Sequence, residues 1–303
     1  MKIKLLTASV AAVLLAGCGS DSDPVVKNYS VQAYDPAVIN MNVVAICDGV
    51  RINAIEPTTN YEGMVGQARF QDLRVVESPS DCEFELTPPS EGSGVEAKDV
   101  SNGKVIKTAY KIPQGLAEED GMVTGSPFST LVAAKMEEAG VGYAPSIVKD
   151  VLVDLGFDEN TDLNGLDFDD FLRDTEAAIE SFKVSDSTLA TKFIATANVA
   201  SDVIAANPDA SPASIAVATK AITKDVIAAN PDYPQNETGD VIYVEIPAED
   251  TQKVVEEVQD AIDKGEEPGA IEPNVPDIPP PVTGEPIEPE DPPGPGTGGT
   301  GGN

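Results

Sequence analysis

Between residues 27 and 112, apolar and polar positions alternate in short runs. The stretches 29–34, 38–47, 67–70, 73–76, 82–86 and 104–110 each read as a strand with one buried face. Gly, Pro, Asn and Asp punctuate them, which predicts a small β-sandwich over residues 27–112. From residue 113 the period lengthens, and helices are predicted over 128–138, 145–155, 167–182, 186–206 and 211–229. Asp167, Asp169 and Asp170 fall at the start of the third of these, where they complement the helix dipole. A strand over 241–246 and an amphipathic helix over 251–264 close a mainly helical domain, 113–264, with Gly265 as the stop. The fold class is therefore α+β.

The helical part carries a repeat. Asp202-Val-Ile-Ala-Ala-Asn-Pro-Asp209 recurs 23 residues later as Asp225-Val-Ile-Ala-Ala-Asn-Pro-Asp232. Two copies fall short of a solenoid, so a duplicated helix ending that packs the same way twice is the simpler expectation. Beyond Lys264 no basic residue follows, and the last 39 positions hold 11 Pro, 9 Gly and 8 acids. That composition buries too little to offset ordering entropy, so 265–303 is expected to be a disordered or extended acidic spacer.

At the other end, Lys2 and Lys4 precede an apolar stretch over 5–15 and then small residues, the layout of a signal peptide over 1–17. Leu15-Ala16-Gly17-Cys18 resembles the lipobox of bacterial lipoproteins. The resemblance implies that Cys18 becomes the acylated first residue of the mature chain, with 18–26 as a tether. Gly19 behind it, rather than Asp, implies outer-membrane sorting in a Gram-negative envelope. Several acyl chains anchor a protein far more firmly than one.

Two further cysteines remain, Cys47 and Cys82, both in predicted strands. Outside the cytoplasm they are expected to form a disulfide worth about 3–4 kcal/mol on the chain-entropy account. Further along, Val123-Thr-Gly-Ser-Pro-Phe-Ser-Thr-Leu-Val132 resembles the Ser-Pro-Leu-Thr-Thr-Leu-Val segment of many exported bacterial proteins. In those, a carboxypeptidase-regulatory-like or Ig-like β module precedes a helical region. Phe128 and Ser129 depart from the usual residues, and the resemblance implies architecture only.

Charge narrows the function. With 19 Lys+Arg against 52 Asp+Glu, the formal net charge is −33, which repels nucleic-acid phosphates. No His is present, so His-based catalysis is excluded, and the absence of Trp with only 5% aromatics argues against a sugar-binding cleft. Asn160, Asp162 and Asn164, with Gly165 next, match the early positions of a calcium loop. Phe171 occupies the place of the bidentate Glu, so Asp169 or Asp170 would have to substitute. Ser146 and Lys149 match a loose SxxK pattern, but Ser146 reads better as a helix cap. These features point to a lipid-anchored envelope or surface protein acting as a non-enzymatic binding module, without cofactor, whose partner is an envelope protein or surface polymer. A weakly calcium-binding structural lipoprotein is the alternative, and a carboxylate-dependent hydrolase the third reading.

Overall fold

The computed structural model describes residues 27–159 and 161–292. It contains both helices and sheets, as an α+β chain requires. Strands β1 (Tyr29–Ala33), β2 (Val38–Ile39), β3 (Asn42–Cys47), β4 (Val50–Asn53) and β5 (Gln67–Phe70) come first. A short helix α1 (Leu73–Glu77), then β6 (Cys82–Thr87), β7 (Lys98–Asp99), β8 (Tyr110–Ile112) and β9 (Met122–Gly125) follow. Among the described residues these strands form two larger sheets, an antiparallel one in the order β4-β3-β6-β8 and one in the order β5-β1-β9 in which β9 runs parallel to β1, while β2 pairs with β7. Tyr29 and Phe70 of the smaller sheet meet Phe84 of the larger, with ring centroids 6.1 and 5.9 Å apart. Gly125 lies where the sheets come closest, since a Cβ there would sit 2.5 Å from Leu86 Cδ1.

Three strand expectations shift. The run 38–47 breaks at Asn40, whose φ of 66° turns the chain between β2 and β3. Residues 73–76 are helical because Asp72 accepts the Arg74 N–H at 3.0 Å and caps α1. Of 104–110 only Tyr110 enters a strand; Lys104 and Thr108 instead reach across to a helix by way of their side chains.

Among the described residues seven α-helices follow: α2 (Pro127–Ala139), α3 (Pro145–Asp154), α4 (Phe168–Arg173), α5 (Thr175–Ser185), α6 (Ser187–Ala206), α7 (Pro212–Ala229) and α8 (Ala248–Asp263). The single helix expected over 167–182 is two, because Asp174 leaves helical backbone and caps α5 by accepting the Ala177 N–H. Ala144, not Ser146, occupies the cap position of α3, and Ser146 is exposed. The segment 123–132 is the joint between sheet and helix. Ser126 and Ser129 form a capping box at α2, while Ser129 Oγ donates to Lys111 O and Thr130 Oγ1 accepts from Lys111 N on β8.

Phe193 on α6 centres the helical core, with Phe157, Phe171, Phe182 and Phe128 rings 4.1 to 5.8 Å away. α6 is long and apolar enough to cross a membrane by composition, but it lies packed among α5, α7 and α8. Both repeat copies end alike: Asn207 donates its amide to Val203 O and Asn230 to Val226 O. The buried apolar cluster runs from Tyr29 to Ile271.

Residues 265–292 do not behave as a disordered spacer. Ile271 is buried, β11 (Val282–Thr283) pairs with β10 (Ile242–Tyr243), and the chain then runs extended over the loops of the β region. Backbone N–H groups of Glu285, Ile287 and Glu290 donate to Asn102, Val100 and Asn60 carbonyls at 2.7 to 2.9 Å. Prolines hold the strap extended, and the residues between them supply its N–H donors.

Candidate functional site

Cys18 and Asn160 lie outside the described residues, so the acylation site and the first calcium-loop position have no structural account here. Cys47 and Cys82 are directly opposed on β3 and β6 and are disulfide-bonded. The remaining calcium-loop residues are each tied to a different neighbour. Asn164 donates to Ser181 Oγ at 2.7 Å, and Asp162 accepts the Gly165 N–H. Asp169 takes the Tyr143 hydroxyl at 2.5 Å on one oxygen and faces Arg173 at 3.5 Å with the other. Among the described residues no group of three or more Cys, Asp or Glu side chains is placed to hold a metal ion.

The chemistry that periodicity did not reveal lies under the junction of sheets and helices. Asp35, in the turn after β1, is fully buried, and its Oδ2 accepts from Tyr110 Oη at 3.2 Å. With that proton directed to Asp35, Tyr110 Oη accepts from Ser201 Oγ at 2.8 Å, while Asp35 Oδ1 has no hydrogen-bond partner among the described residues. Burial pushes the Asp35 carboxyl well above the ordinary carboxylate range, with nearby Lys104 opposing it. Asp99 is buried too, and desolvation lifts it to about 7 although Ser101 N–H and Asn102 Nδ2 donate to it. Lys104, the one basic side chain fully buried among the described residues, pairs with Asp202 of α6 at 2.8 Å. Asp202 also accepts the Ile246 N–H at 2.9 Å, so the first repeat copy is anchored here; Asp225, its counterpart, is partly exposed.

Against this buried layer opens a cavity of about 470 Å³, walled by the turn after β1, by α5 and α6, and by residues 232–235. Tyr34 and Tyr233 line it, each only 2% exposed. Thr191 Oγ1 donates to Tyr233 O at 2.9 Å, and the Tyr233–Pro234 peptide is cis. The rim carries Glu176, Glu180 and Asp232 against one cation, Lys183, which is already paired with Glu180 at 2.6 Å. Glu176 is held by Gln32, and burial raises its carboxyl.

Both phenols are raised well above their ordinary value, chiefly by burial and then by neighbouring acids: Glu176, Asp99 and Asp35 for Tyr34, and Asp35, Asp99 and Asp202 for Tyr233. They stay protonated as neutral hydroxyls, able to donate or accept. The cavity is thus lined by two tyrosines within a field of acidic groups. That combination favours an organic cation and repels anions. Its residues come from four separated stretches of chain, and apart from the local pair Glu176 and Glu180 no spacing in the sequence joins them. Compared with known protein families, curated proteins and solved structures, the chain matches none.

Proposed function

We propose that this chain is a lipid-anchored envelope protein that acts by binding, and that the Tyr34–Tyr233 cavity takes an organic ammonium group of its partner. The anchor rests on the resemblance of Leu15-Ala16-Gly17-Cys18 to a lipobox, and the outer-membrane reading on Gly19 behind it. The turn after β1 and residues 100–101 frame the cavity from one side, and α5 and α6 from the other; the two larger sheets are read as a small sandwich. One observation carries the binding reading: two buried tyrosines, Tyr34 and Tyr233, line a cavity whose charged rim is acidic. Aromatic residues and a few acidic groups converging on one concave surface suit it to a cationic ligand.

Turnover by paired carboxylates would need two acids free to face a common substrate. Asp35, Asp99 and Asp202 are instead engaged by Tyr110, Asn102 and Lys104. The test is a calorimetric titration of the purified soluble chain with cadaverine and with its doubly acetylated form. Saturable binding of the diamine alone, weakened by Glu176→Gln, supports the reading; equal binding of the uncharged form contradicts it.

A further inference from the structure

Lys104 and Asn198 are 94 residues apart in sequence and meet in the interior, each 2% exposed. Lys104 Nζ lies 2.8 Å from Asp202 Oδ1 and 3.2 Å from the Asn198 backbone oxygen. The hydrogen-bond network sets the Asn198 amide so that Nδ2 donates to Val244 O at 2.8 Å and the side-chain oxygen faces Lys104 Nζ at 3.0 Å. An amine, a carboxamide and a carboxyl are therefore packed together with little access to water. Asn198 and Asp202 stand one helical turn apart on α6, which presents both to Nζ from the same side.

We propose that Lys104 and Asn198 become joined by an isopeptide bond, with Asp202 as the group that moves the protons. In the first step the Lys104 ammonium passes one proton to Asp202, leaving a neutral amine. The Nζ lone pair then attacks Asn198 Cγ, so that a Cγ–Nζ bond forms. A second Nζ proton travels by way of Asp202 to Nδ2, the Cγ–Nδ2 bond breaks, and ammonia departs. The amine has lost two protons: one leaves with the ammonia and the other remains on Asp202. No oxidant, reductant or co-reactant is consumed.

The site favours each step. Burial raises the Asp202 carboxyl, which suits it to hold a proton. A buried ammonium–carboxylate pair is expensive to desolvate, and the product contains only a neutral amide and a neutral acid. Asp202 also lines a separate open cavity of about 380 Å³, bordered by Thr108, Ser201 and Ile246, through which ammonia can leave. The bond would fasten the loop before β8 to α6, across the junction of sheet and helix, and it does not depend on the ligand cavity.

A tryptic digest of the natively purified, denatured chain reads the outcome directly. Cleavage after Lys104 should be blocked. Residues 99–107 should then appear as a branched peptide joined to residues 193–220, lighter than the two together by one ammonia, about 17 Da. Asp202→Asn, which keeps the side chain's shape, should return both peptides unlinked with Lys104 cleaved normally. Free, unmodified 99–104 and 193–220 peptides from the wild-type chain would overturn the proposal and leave a simple buried ion pair. A branched peptide persisting in Asp202→Asn would overturn the part given to Asp202.

Discussion

Asp99 makes the fold sensitive to pH. Its folded pKa is about 7 against an ordinary 3.8, because burial opposes ionisation. The folded state therefore holds a proton that the unfolded state releases, and stability falls as pH rises between about 4 and 7. A shift of that size corresponds to on the order of 4 kcal/mol. Asp35 and Asp202 are displaced in the same direction by the same cause. Thermal unfolding followed across this range should show a declining Tm in the wild type and a flatter profile in Asp99→Asn; identical slopes would contradict the assignment. Gly125 is tested differently. Its missing Cβ admits Leu86, so Gly125→Ala should lower stability in urea by about 1–3 kcal/mol through overpacking. At this scale Cys47 and Cys82 were legible from their strands and compartment. Asp35 and Asp99 were not, because a carboxylate among 52 acids reads as surface until the fold buries it.

Elements followed the sequence where periodicity was long and failed where one local cap decided the outcome. α2, α6 and α7 fall within a residue or so of their predicted spans, supported by sustained apolar spacing and by caps at Ser126, Asp186 and Ser211. Residues 73–76 have a strand's composition, yet the Asp72 cap turns them into α1. The tail was misjudged for a related reason: composition reports that 265–292 cannot form its own core, not that a ready-made surface can order it. Its order should have a measurable consequence. Truncation after Glu267 removes Ile271, whose burial is worth about 1.5–3 kcal/mol, together with the β10–β11 pair. Urea unfolding of the shortened chain should show a loss of that order, whereas unchanged stability would mean that the strap adds nothing.

For the molecule as a whole, the signal-like start and the acidic surplus led to the expectation of an anchored envelope protein, and the structure adds a cavity with an acidic rim on which the proposed binding rests. The site was illegible in advance because Tyr34, Glu176 and Tyr233 come together only when the turn after β1 meets α5, α6 and residues 232–235. Anchoring makes a simple prediction: Cys18→Ser should move the protein from the membrane fraction to the soluble fraction, and retention in the membrane would refute acylation there. The binding claim is tested most directly by calorimetric titration of cadaverine into the wild-type chain and into the Tyr34→Phe/Tyr233→Phe double variant, which keeps both rings and removes both hydroxyls. Saturable binding should weaken by about tenfold or more in the variant, the effect of losing hydrogen bonds to a charged group. No saturable binding in the wild type, or equal binding by the variant, would contradict it.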